Sequence, residues 1–339
     1  MGLNFTHEKR FEAQKTGVMV HSLSGEGRVV SVYARALNIR YGNGLLVSLI
    51  EDSNQMTALS LFVPSFFPSQ EVKTEAGAPA RFEKGRLWLS GFCIDFAKGT
   101  SWKGTLTPGS VQGFSLTRIG IFREALLHQG KRGGLLGLIH PDEEQNPFVR
   151  KASQILRRIV QEFPDGSCMK GLSQLVGLGP GLTPSGDDFI AGVLLGEEIL
   201  SLLTAPRGRT QRRLAATRIV GTPSPRSSPP FSGESRRRAM AALATARGRV
   251  RRAVIPVRVN KRELWHGLTR TNDGGRTLLF QALQGYFPGY LIGVVKKLGK
   301  AQTVEEMADA VRRAVSHGET SGTDALVGLL FYLNVSASH

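Results

Sequence analysis

The chain has 339 residues, 41% of them hydrophobic, with a formal net charge of +17. That length allows one large domain or two ordinary ones, and that apolar content excludes wholesale disorder. The charge points to a nucleic-acid partner only until its distribution is read: fifteen Arg and one Lys against one acidic residue lie between 204 and 262, and the remainder carries +2. The N-terminus, MGLNFTHEKRFEAQK, has no apolar stretch of signal-peptide length. MGLNFT fits the loose N-myristoylation pattern, which is common by chance. The best apolar run, Phe189 to Leu203, is broken by Glu197 and Glu198, so no membrane span is expected. Cys93 and Cys168 have no metal spacing and read as reduced thiols of a cytoplasmic protein.

In chain order, residues 1–112 read as a β-rich domain. GRVVSVYARALNIRY alternates in places, Gly42-Asn43-Gly44 follows as a turn, and LLVSLI, ALSLFVPSFF and RLWLSGFCIDF continue the pattern. Short strands at that spacing predict a small barrel or sandwich. Residues 113–203 read as helical around a glycine-rich loop: LTRIGIFREALLHQ and NPFVRKASQILRRIVQEF carry the helical period, and a helix is expected over Asp187–Leu203. Residues 204–262 are rich in Arg, Ala, Pro, Ser and Gly and hold no sustained period. Three readings stay open for them: a basic arm, a solvated insertion without order, or a stretch translated out of frame from a GC-rich gene. Phe231 is their only aromatic residue, which speaks against base stacking, and no nucleic acid or membrane is expected as partner. Residues 263–339 continue the helical domain. There TVEEMADAVRRAVSHG is amphipathic, with a capping box at Thr303 and Glu306. The fold class is therefore α+β, an N-terminal β-rich barrel or sandwich followed by a mainly helical domain.

The densest chemistry lies in GLGPGLTPSGDDFIAG, Gly177 to Gly192. SGDDFIAGVLL, from Ser185, aligns without gaps with SGTDALVGLLF, from Ser321. Both describe a helix start: Ser185 and Ser321 can cap free N–H groups, and Asp188 and Asp324 fall in the first turn, where the helix dipole favours carboxylates. Gly192 and Gly328 follow one turn later and allow a second helix to come close. Two well-capped helices packed across their glycines would explain this much. The surroundings add a functional reading. Gly179, Gly181 and Gly186 let backbone N–H groups converge on an anion at a helix N-terminus, with Thr183 and Ser185 as hydroxyl donors. Ahead of Ser321 and Gly322 stands His317-Gly-Glu-Thr320, another polar turn. TNDGGRT, Thr271 to Thr277, offers Arg276 as a planar fork for a carboxylate or phosphate. Asp187, Asp188 and Asp324 would repel a bare phosphate. They make sense if they hold Mg²⁺ or if they accept hydrogen bonds from an amide or carbamoyl NH₂. The Lys-Ser/Thr ending of a P-loop is missing, and so are HExxH, CxxC and a nucleophile elbow.

GLGPGLTPSGDDFIAG resembles the signature of a bacterial family once known only as a domain of unknown function, the family of the oxamate carbamoyltransferase subunit AllH. Ser321–Asp324 and QGYFPGYL look like it too, and between 204 and 262 the resemblance fails. It implies a reversible exchange in anaerobic allantoin or purine breakdown: oxalurate and phosphate against oxamate and carbamoyl phosphate. It also implies partner subunits similar to FdrA and AllG. Carbamoyl transfer needs donors for a phosphate, a cation for a carboxylate and acceptors for an NH₂ group. The loop, Arg276 and the three Asp residues are of those types. The alternative is a non-catalytic subunit that binds an anion or metabolite and docks partner proteins.

Overall fold

The computed structural model describes residues 9–42, 44–67, 74–140, 146–161, 168–205 and 257–338. Those up to Leu203 and from Val257 belong to one compact unit. The second unit, Thr204–Val254, falls outside the described residues save for its first two; so do the readings offered for the basic segment, except over its last six residues, 257–262, which are ordered and begin a strand and a helix.

Ten strands form one sheet: β1 (Lys9–Glu12), β2 (Lys15–Gly17), β3 (Gly25–Val32), β4 (Ala36–Tyr41), β5 (Leu45–Ile50), β6 (Ser60–Phe62), β7 (Pro79–Glu83), β8 (Arg86–Leu89), β9 (Phe92–Asp95) and β10 (Thr100–Trp102), in the order β1-β9-β8-β7-β3-β4-β5-β6-β2-β10. The sheet curls back on itself through one short stretch of chain. Residues 9–12 pair in parallel with β9, and after Ala13 and Gln14 residues 15–17 pair with β6 and β10. The expected β-rich domain is thus a curled barrel. Its turns follow local rules: Lys84 and Gly85, at φ 49° and 78°, make the two-residue hairpin between β7 and β8, where both central positions need positive φ. Alternate residues point inward, so Val29, Ile39, Val47, Leu49, Leu61, Phe82, Leu87 and Ile94 fill the interior. Phe11, Phe66 and Phe92 pack within it, with ring centroids 4.9–6.2 Å apart.

The helices are α1 (Leu116–Gln129), α2 (Pro147–Gln161), α3 (Ser185–Thr204), α4 (Lys261–Gly267), α5 (Asp273–Leu283), α6 (Gly289–Leu298), α7 (Val304–Val315) and α8 (Ser321–Ser338). Asn146 starts α2 by accepting the Val149 N–H at 2.8 Å, with Pro147 at the first helical position, where its missing N–H costs nothing. Thr303 caps α7 through the Glu306 N–H at 3.2 Å, as the sequence predicts, while the Glu306 carboxylate accepts the N–H of Gln302. α3 begins two residues earlier than the pattern suggests, because the Pro184 carbonyl accepts the N–H of Asp187. Along α3, apolar residues buried on every side mark a central helix, and α8 carries the same kind of apolar run. α1 packs on α7 and α8, and α6 packs on α7.

α5 joins this helical region to the barrel. The Thr277 hydroxyl accepts the N–H of Leu46 at 2.8 Å, Gln281 accepts that of Leu59 at 3.2 Å, and Asp273 pairs with Arg40. The end of the basic segment, from Val257, is held against the rest of the unit. Arg258–Val259 pairs with Cys168–Met169, Val259 N–H and Lys261 bind the Glu197 carboxylate, and the Tyr332 hydroxyl donates to the Val257 carbonyl.

Candidate functional site

α3 and α8 cross at their glycines. A Cβ at Gly192 would collide with the Ala325 carbonyl, and one at Gly328 with the Phe189 carbonyl, so each helix lies backbone to backbone on the other. The two helix starts are built alike. Gly179 and Gly318, at φ 107° and 65°, turn their loops so that their Cα atoms rest against Ser185 and Ser321. Gly186 gives its N–H to the Leu178 carbonyl (2.8 Å) and Gly322 gives its own to the His317 carbonyl (3.2 Å). At the next position Asp187 accepts the Gly177 N–H at 2.9 Å, and Thr323 accepts the Lys131 N–H at 3.0 Å.

The carboxylates one residue on are linked crosswise. The Ser321 hydroxyl bonds Asp188 and the Ser185 hydroxyl bonds Asp324, so each serine serves the opposite helix. Thr183 also bonds Asp188 and lies 2.9 Å from the Ser321 hydroxyl. Asp324 has a fixed set of donors, the Leu135 N–H at 2.6 Å and the Thr320 hydroxyl at 2.9 Å, beside Ser185. Asp188 has hydroxyl partners, while its Oδ2 is buried with no hydrogen-bond partner among the described residues. Burial raises the pKa of all three acids, and Asp324 pushes Asp188 further up. Asp187 reaches about 6 even though Thr271 and Gly177 donate to it.

These contacts set the three carboxylates apart. Asp187 is turned to Thr271 and Gly177, Asp324 is occupied by three donors, and no three Asp, Glu, His or Cys among the described residues are grouped as metal ligands. Of the three carboxylates, Asp188 alone keeps an oxygen without a partner among the described residues.

His317 stacks on Tyr290 at 4.3 Å between centroids, its Nδ1 buried without a hydrogen-bond partner among the described residues. Burial first, then Lys131, lower its pKa to about 4, so the ring is neutral near pH 7. Tyr290 is itself buried and lies in the field of Asp188, and both effects keep its phenol protonated. Around this point stand six of the sequence candidates, Thr183, Ser185, Asp188, His317, Ser321 and Asp324. Gly181 lies at the exposed loop tip, where its carbonyl accepts from Asn272 at 2.8 Å. Arg276 reaches the Leu268 carbonyl (3.3 Å), the Thr271 carbonyl (3.4 Å) and Asp273 (3.3 Å).

Sequence reasoning missed Thr271 as the donor to Asp187, Leu135 as the donor to Asp324, and Tyr290. Two signals were available. Gly133-Gly134 is a glycine pair like the others, and a Cβ at Gly134 would strike the Asp324 carboxylate. Gly275 likewise abuts Asp187.

The family model described as oxamate carbamoyltransferase subunit AllH matches residues 175–223 and 238–333. Over those residues the chain is similar to that family. The match takes in both Ser-Gly-x-Asp helices and the Thr271–Thr277 turn, and covers just under half of the 339 residues. It also runs on through 204–223 and resumes at 238, so the departure expected over 204–262 narrows to a gap at 224–237. No curated protein and no solved structure matches the chain. Among the described residues, no helix is long and apolar enough to cross a membrane.

Proposed function

We propose that this AllH-like chain is a subunit of a carbamoyltransferase that exchanges oxalurate and phosphate with oxamate and carbamoyl phosphate in anaerobic purine breakdown. The ligand's carbamoyl or oxamate group meets Asp188 at the paired N-termini of α3 and α8. One observation carries the reading: Asp188 Oδ2, buried at the meeting of two helix N-termini, has no partner among the described residues. A buried polar atom left unmet costs about 1–3 kcal/mol, and a ligand group that meets it recovers that energy. The family description supplies the chemical class. The glycine-rich loop, with Gly179 and Gly181 at φ 107° and 101°, lies at the start of α3, where the positive end of the helix favours the phosphate.

A second reading has its own support. The family description names a subunit, and a subunit has partner chains. On that reading the chain binds a metabolite without turning it over and docks FdrA-like and AllG-like subunits. Calorimetric titration of oxamate and of carbamoyl phosphate into the full chain tests the site. Carbamoyl-transfer assays on the chain alone, then with partner subunits added, separate the readings. If wild-type protein binds neither compound and added subunits yield no transfer, the proposal is wrong.

A further inference from the structure

We infer that Asp188 is the proton-holding member of the buried pair and presents Oδ2–H as a hydrogen-bond donor to an acceptor oxygen of the ligand, a carbonyl or carboxylate oxygen. The inference rests on the proposed function for the ligand and on the donor count for the proton.

Two carboxylates linked crosswise by serine hydroxyls in a water-poor crossing cannot both stay ionised without a cation between them. Among the described residues, the groups that act on Asp188 supply none. Asp187 precedes it on α3, Asp324 and Ser321 come from α8, Thr183 from the loop, and Tyr290 from α6. His317, stacked on Tyr290, is neutral, with Lys131 and Asp52 acting on the imidazole from beyond it. One proton must therefore be held. Asp324 accepts a backbone N–H from Leu135, a donor that cannot reverse, and two hydroxyls besides. That is the environment of a carboxylate anion. The partners of Asp188 are the hydroxyls of Ser321 and Thr183, which donate or accept as needed, so nothing holds Asp188 in the charged form. Its Oδ1 remains for the hydroxyls, and the proton falls to Oδ2, the atom without a partner. A neutral acid aimed at a ligand oxygen resembles an oxyanion-hole donor: it stabilises charge that develops on a carbamoyl or amide oxygen.

Two measurements test this on the full chain. The first is the infrared difference spectrum, wild type minus Asp188→Asn, at neutral pH. It should contain the carbonyl stretch of a protonated carboxylic acid; a difference holding only ionised-carboxylate bands overturns the inference. The second is oxamate titration. Asp188→Asn keeps a donor NH₂, so its affinity should fall by less than about threefold, whereas Asp188→Leu, with no donor, should lose more than about tenfold. A folded Asp188→Asn that loses affinity as Asp188→Leu does makes Asp188 an acceptor, and the inference fails while the proposed site stands. Wild-type affinity in Asp188→Leu removes the proposed site, while the infrared result still decides where the proton lies. An Asp188→Asn chain that does not fold shows that the charge is needed, and overturns the inference as well.

Discussion

Asp187 is fully buried, and its carboxylate meets the Thr271 hydroxyl on one oxygen and the Gly177 N–H on the other. Thr271→Val keeps the shape and removes the hydroxyl, so it should lower unfolding free energy by about 1–3 kcal/mol, read by urea denaturation. The same burial has a pH signature. A native pKa of about 6 against 3.8 means that Asp187 contributes its full stability below about pH 4 and loses it as pH climbs through about 6. Asp188 and Asp324 act with the same sign. His317 acts with the other: lowered from 6.5 to about 4, it contributes fully above 6.5 and loses that contribution as pH falls toward 4. The two slopes offset each other between about pH 4 and 6. Melting curves over that window should therefore diverge from wild type in opposite directions. His317→Gln should lose stability more steeply as pH rises, and Asp187→Asn should shift toward gaining it. Parallel curves in both variants would show that neither group titrates differently on folding. In the sequence, the expectation that Asp188 and not Asp187 meets a ligand rests on the repeat alone, where Asp324 matches Asp188 and Thr323 matches Asp187. The donor to Asp187 lies 84 residues away, a separation no local pattern reports.

Among the elements, the crossing of α3 and α8 is the most constrained. The atoms facing Gly192 and Gly328 are backbone, which cannot rotate away as a side chain can. Gly192→Ala or Gly328→Ala should therefore force the helices apart and cost about 3 kcal/mol or more. Gly293→Ala in α6 has open space around its Cα and is exposed, so there the helix propensity of Ala should raise stability by about 0.5–1 kcal/mol. Thermal melts of the three variants check both signs. Most helices were legible from their period. α1 occupies the whole of LTRIGIFREALLHQ, and Thr303 caps α7 as its sequence indicates. Less was legible in α5, expected to follow the TNDGGRT turn. Asn272 accepts the Gly275 N–H at 2.9 Å, so the helix already includes the glycines and Arg276.

At the scale of the molecule, two sets of contacts hold distant stretches of chain. Thr277 and Gln281 give barrel N–H groups their partners from α5, so the β-rich and helical regions share one polar seam. Glu197, Tyr332 and the Cys168–Met169 strand fix the chain from Val257 onward. Because these anchors lie outside residues 206–256, replacing that stretch with a short neutral linker should leave the melting temperature within a few degrees and oxamate affinity unchanged. Loss of either would give the segment a structural or binding role. Retained affinity that no longer falls with salt would assign it an electrostatic part in ligand capture.

The sequence by itself determined what depends on neighbours in the chain. Strand alternation, helix period, the cap at Thr303 and the repeated Ser-Gly-x-Asp are local patterns, each set by backbone sterics and hydrogen bonding within a few residues. The same repeat also pointed to a family, because a loop this dense in glycine and carboxylate is specific. Only the tertiary structure decided that Ser185 serves Asp324 while Ser321 serves Asp188, that Leu135 and Thr271 donate to buried acids, and that Tyr290 stands beside Asp188. Those are contacts between segments far apart in sequence, and the protonation of a buried carboxyl depends on all of them together. Its charge follows from the balance of lost solvation against donors gained, and both are properties of the packed interior.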